Sequence, residues 1–163
     1  TLSGAQNGGV FIGMLTVGIA ATGFKLGSLR SWAIAGCLGS AVSLLAIAVA
    51  AFTLTPLVIA LGFFNGMFAV AAIGSMMALA AEGRGQREGT RMGLWGAAQA
   101  IAAGFGGLTG AAAVDILRGM FPDATAFGLV FTLEAALFIA AALMALYIME
   151  NTRSIATAMV PGE

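Results

Sequence analysis

The chain of 163 residues contains no histidine and one cysteine, Cys37. Without imidazole it lacks the commonest metal ligand and the side chain whose unperturbed pKa lies nearest neutral pH. A lone thiol excludes an internal disulfide and a multi-cysteine metal site, so no metal site is expected. Charge is just as scarce. Only 9% of residues are Asp, Glu, Lys or Arg, where roughly 25% is usual for soluble domains. The seven basic and seven acidic residues cancel. No basic excess exists to neutralise phosphates, and nucleic-acid binding is excluded.

What fills the chain is apolar. Residues of the AVILMFWYC class make up 60%, and 24 glycines raise the apolar or side-chain-free share to about three quarters. The mean hydropathy is +1.02. A monomer in water has no polar coat large enough to cover that much apolar surface. The composition excludes a soluble globular enzyme and predicts a chain embedded in a lipid bilayer.

The charges cluster, and the stretches between them are long enough to cross a hydrocarbon core of about 30 Å, which takes about 20 helical residues. Five spans are predicted: about 4–24, 32–52, 57–81, 92–114 and 127–148. They are continuously apolar and rich in Ala, Leu and Gly, without the alternation of barrel strands. The expected fold is all-α, a polytopic helix bundle over residues 1–150 with a short cytoplasmic tail at 151–163. Lys25, Arg30, Arg84, Arg87, Arg91 and Arg153 fall on one side of this layout, and Arg118 stands alone on the other, beside Asp115 and Asp123. The positive-inside rule then places the N-terminus outside and the C-terminus in the cytoplasm. Residue 1 is a Thr at the mouth of the first span, with no start Met or charged leader. The expectation is the C-terminal portion of a larger transporter-like polypeptide, or a short gene product descended from one.

Small residues recur four apart at Gly4/Gly8, Gly9/Gly13, Gly62/Gly66, Gly89/Gly93 and Gly106/Gly110. In lipid such faces let helix backbones approach closely. Spans one and four, where Gly is crowded, are therefore expected to be the most tightly packed or most deformable. Spans two and five, richer in Leu, Ala and Ile, are expected at the lipid-facing periphery.

Polar groups inside the spans are few: Gln6, Asn7, Asn65, Gln99 and Glu134. Glu134 lies about seven residues into span five, roughly 10 Å deep at 1.5 Å per residue. An intramembrane carboxylate faces a bundle interior or a wet cavity and has a partner. Arg118, for which Asp115 competes, is the expected partner, with Asn65 as the alternative. Such a contact fixes helix packing; the other readings of Glu134 are a protonatable coupling site or substrate contact, and a neutral interfacial residue. Trp32 and Trp95 fit an interfacial aromatic belt. The loop from Glu82 to Arg91 (EGRGQREGTR) is the most charged segment. Glu82, Arg84, Arg87, Glu88 and Arg91 form either a network that locks one conformation or a solvated loop touching anionic lipid heads. With Asp115 and Arg118 they are the candidate gating and ionic residues.

Enzyme motifs are missing. Gly18–Lys25 approximates a phosphate-binding loop, but Phe24 intrudes before Lys25 and the pattern ends a span rather than following a strand. Gly104–Gly110 has the wrong spacing for a dinucleotide fingerprint. No enzymatic role is expected.

The segments GAQNGGVFIGML in span one, LGSLRSW after it, and GTRMGLWGAAQAIAAGFGG running into AVDILR resemble the PucC-type family. That family, which includes the LhaA proteins, is a branch of the major facilitator superfamily associated with bacteriochlorophyll delivery and light-harvesting assembly. The resemblance runs from about Gly4 to Tyr147 and is most specific over Gly89–Gly107. It implies that the five spans correspond to the eighth to twelfth helices of a facilitator fold. The link Phe24–Trp32 departs from the facilitator pattern, because no Asp precedes Lys25.

The resemblance also implies an assembly factor for photosynthetic antenna complexes of purple bacteria, in the inner or intracytoplasmic membrane. Its partners would be the bilayer, the remaining helices of the same protein, light-harvesting polypeptides and the reaction-centre core, with bacteriochlorophyll as a transient ligand. Magnesium would then need a hard oxygen ligand from the five in-span polar residues, a backbone carbonyl or water. Two other readings stay open: a proton-coupled transporter of a small solute using Glu134, and a permanent structural subunit of a photosynthetic complex.

Overall fold

The computed structural model describes residues 1–24, 26–49, 54–81 and 88–158. Those residues form five helices: α1 (Leu2–Thr22), α2 (Leu29–Val49), α3 (Leu54–Ala81), α4 (Glu88–Arg118) and α5 (Asp123–Ala158). All five are long and apolar enough to cross a membrane. Helix is the form that lipid demands of a single segment, because each backbone N–H and C=O finds its partner within the segment. The hydroxyls follow suit. Thr16, Ser43, Ser75, Thr109 and Thr132 each donate to the carbonyl four residues earlier, at 2.7–2.8 Å. The helix ends fall within a few residues of the predicted spans, and α5 runs on past residue 150 to Ala158.

Local chemistry sets the turns. Gly27 has φ +72° between α1 and α2, a conformation that strains any residue with a Cβ. The turn is tied by Trp32 Nε1, which donates to the Leu26 carbonyl at 2.8 Å. Ser28 precedes α2 and its Oγ accepts the Ser31 N–H at 3.1 Å, the work of an N-cap. Pro56 stands in the first turn of α3, where its missing N–H would have had no helical acceptor. The Pro122 carbonyl accepts the N–H groups of Thr125 and Ala126 and so opens α5.

The packed helices run in the order α1, α3, α2, α5, with α4 only lightly against α5 and α3. The α1–α3 interface is made by glycine from both sides. A Cβ on Gly9 or Gly13 would strike the backbone of α3 at Ile59 and Phe63, and one on Gly62 or Gly66 would strike α1 at Gln6 and Val10. Two of the five predicted small-residue pairs thus interlock. Gly4/Gly8, Gly89/Gly93 and Gly106/Gly110 meet no other helix's backbone.

Two packing expectations are corrected. Span two is not peripheral: α2 carries the longest buried stripe, from Gly36 and Cys37 through Ser40, Ala41, Ser43 and Leu44 to Ile47. Its small residues receive α3, where Gly36 and Gly39 sit against Phe64 and Phe68. Span five packs on α2, with Gly128 against the Ala48 carbonyl and Ala135 in a buried cluster with Ala41 and Leu44. Ala41, Leu44 and Ala135 centre this core, with Leu61, Phe131 and Phe138 around them. Span four, expected to be among the most tightly packed or most deformable, is not tightly packed: its most apolar stretch is unburied, while 39% of that in α2 is buried. Glycine content fixes how close a helix can come to a neighbour, not whether a neighbour is there.

Candidate functional site

The five in-span polar residues are not gathered into one place. Gln6 is half-buried and Asn7 exposed on α1, and Gln99 is exposed on α4. Asn65, from α3, accepts a hydrogen bond at 3.0 Å from Ser40 Oγ of α2, which is fully buried. That pair cross-links the two helices at the centre of the bundle. Sequence reasoning missed Ser40. Its signal was the run of small residues Gly36, Cys37, Ser40, Ala41 and Ser43 at helical spacing.

Glu134 stands in a groove between α4 and α5 of about 630 Å³. Gly106, Thr109, Gly110 and Ala113 form one wall, and Val130, Leu133, Leu137 and Phe138 form the other. A second groove of about 360 Å³ shares Gly106, Gly110, Val130 and Glu134 and extends toward Asp115 and Phe127. The α4 wall is almost free of side chains: the nearest group to a Cβ built on Gly110 would be Glu134 Oε1, at 4.0 Å. The result is an apolar cleft with one carboxylate at its middle.

The expected pairing of Glu134 with Arg118 is corrected. Arg118 binds Asp123 instead, through Nε to Oδ1 at 2.9 Å and through an NH2 group to Oδ2 at 3.2 Å. The Arg118 guanidinium carbon also lies 5.8 Å from the centre of the Phe127 ring. The physical reason is local. Asp123 is five residues away across a tight turn and accepts both N–H groups in one plane, whereas Glu134 lies three turns deeper along α5. The alternative partner, Asn65, is taken by Ser40. Among the described residues no hydrogen bond or ion pair reaches the Glu134 carboxylate.

The charged-loop residues Glu82, Arg84 and Arg87 lie outside the described residues, as does the Glu88 side chain. Arg91 and Asp115 are exposed on α4. Trp32 is held at the mouth of α2 by its bond to Leu26, and Trp95 is half-buried near the start of α4.

The chain is 68% identical over 148 residues to a Rhodobacter capsulatus protein named "Bacteriochlorophyll synthase 44.5 kDa chain"; the match covers 88% of the chain and 35% of that relative. The chain therefore spans about a third of the relative's length. No solved structure matches it. The relative's name assigns it to a synthase, and this overturns the expectation of no enzymatic role. The model of the family described as PUCC protein matches residues 1–153, and the chain belongs to that family.

Proposed function

We propose that the chain is part of a membrane protein that handles bacteriochlorophyll during the assembly of photosynthetic antenna complexes. The observation that carries this reading is the family match over residues 1–153, joined to a relative whose name contains the pigment. The apolar α4–α5 groove agrees with it. The carboxylate in it, Glu134, is a hard oxygen ligand of the kind that magnesium prefers. The pigment is cargo here, and light-harvesting polypeptides are the partners that would receive it.

The test is purification of the full-length protein in mild detergent, with an absorption spectrum and identification of what accompanies it. Near-infrared bacteriochlorophyll bands together with antenna polypeptides, enriched in immature complexes, are the expected result. A colourless preparation active in proton-coupled solute uptake would overturn the reading. A second reading, favoured by the relative's name, is a chain of a pigment-synthesising complex. Turnover of a bacteriochlorophyll precursor by the purified complex would decide for it.

A further inference from the structure

Resting on the bacteriochlorophyll reading, we propose that the α4–α5 groove distinguishes metal-bearing from metal-free tetrapyrroles, and that Glu134 makes the distinction by ligating the central magnesium through a carboxylate oxygen. At about 630 Å³ the groove falls within the roughly 300–1,000 Å³ of small-molecule sites, which are mostly apolar with a few polar groups that set specificity. Its polar side chains are Thr109 and Glu134. The Thr109 hydroxyl is turned onto its own helix, against the Phe105 and Gly106 carbonyls. Glu134 is different, because its carboxylate meets neither a hydrogen-bond donor nor a cation among the described residues. A carboxylate at this depth is costly without a partner. Of the other in-span polar groups, Asn65 is held by Ser40, and Gln6, Asn7 and Gln99 do not line the groove.

The facing wall suits a flat ligand. Gly106, Gly107 and Gly110 of α4 line the two grooves around Glu134. A Cβ on Gly106 or Gly107 would meet nothing within 4 Å, so these glycines serve no helix contact among the described residues. Glycine also lets a ligand approach the backbone closely, and a wall without side chains admits a planar ring. Magnesium at the centre of such a ring is held by four ring nitrogens and takes a further ligand perpendicular to the plane, where hard oxygen suits it. When two protons replace the metal, the ring N–H groups lie in the plane and point at its centre. An axial carboxylate then gains nothing. Seating that form would strip water from Glu134 and leave it unmatched, which is how a polar group in an apolar site rejects the wrong ligand.

The experiment titrates the full-length protein in mild detergent with bacteriochlorophyll and, separately, with the same pigment demetallated by acid, reading affinity from pigment fluorescence. The metal-bearing form is expected to bind tighter by about tenfold or more. Glu134→Leu should shrink that preference to less than about twofold, whereas Glu134→Gln, which keeps an amide oxygen, should retain most of it. Gly106→Leu should weaken both forms alike and leave their ratio unchanged. The comparison on the unaltered protein needs no variant, so it stands even where one fails to fold. Equal affinity for the two forms, or a preference that survives Glu134→Leu, would overturn the proposal and leave the pigment reading in place. Binding of neither form by the unaltered protein would overturn both.

Discussion

Ser40 and Asn65 show what one polar pair does inside an apolar bundle. The hydroxyl is fully buried and its bond to the Asn65 carbonyl spans α2 and α3. Interhelical bonds of this kind are worth about 0.6 kcal/mol in membrane proteins and at most roughly 1.7. A double-mutant cycle of Ser40→Ala and Asn65→Leu, read by unfolding in a bilayer-like detergent mixture, should return a favourable coupling in that range. A coupling of zero would show that the two side chains do not meet. The Arg118–Asp123 pair is a different case, since both groups are exposed and water and salt screen them. Asp123→Asn should leave the unfolding midpoint unchanged within error, at low salt and high. The sequence presents Asn65, Arg118 and Glu134 alike, as polar residues near or within spans. Which of them pair depends on the rotation of each helix about its axis, which side-chain type does not encode.

Glycine acts at the scale of the helix. Gly8 and Gly9 are adjacent in α1 and chemically identical, yet a Cβ on Gly8 would meet nothing within 4 Å and one on Gly9 would strike the α3 backbone at Ile59. Gly9→Ala and Gly13→Ala should each destabilise the bundle by about 1–3 kcal/mol, the usual consequence of overpacking. Gly8→Ala should be neutral or slightly stabilising, because alanine favours helix by up to about 1 kcal/mol. Thermal unfolding of the three variants in one detergent checks both directions at once. The four-residue spacing of Gly9/Gly13 and Gly62/Gly66 was legible in the sequence, but their mutual contact was not. Gly106 and Gly110 have the same spacing and face an open groove. The stripe on α2 was overlooked for the opposite reason: cysteine, serine and alanine permit close packing almost as glycine does, and they draw less notice among the leucines.

Five crossings place successive turns on alternate faces of the membrane. The turn from residue 23 to 28 and the turn from residue 119 to 122 must therefore lie on opposite sides. Single cysteines at Ser28 and Gly119, in a Cys37→Ala background, report this through a membrane-impermeant maleimide. Gly119→Cys should be labelled from outside, and Ser28→Cys only after permeabilisation, as the arginine distribution requires. Labelling of both from one side would break the five-helix layout. That layout is what the sequence by itself determined. Apolar length, the scarcity of charge and the helix that lipid imposes on a lone segment are properties of composition and order along the chain. The tertiary structure alone decided which helix is central, which glycines interlock, that Arg118 turns to Asp123, and that Glu134 is left facing a groove beside an uncovered α4. Those outcomes follow from the rotation and neighbours of each helix. In lipid, where apolar surfaces are equally content with acyl chains, they are settled by fit between side chains rather than by hydrophobicity.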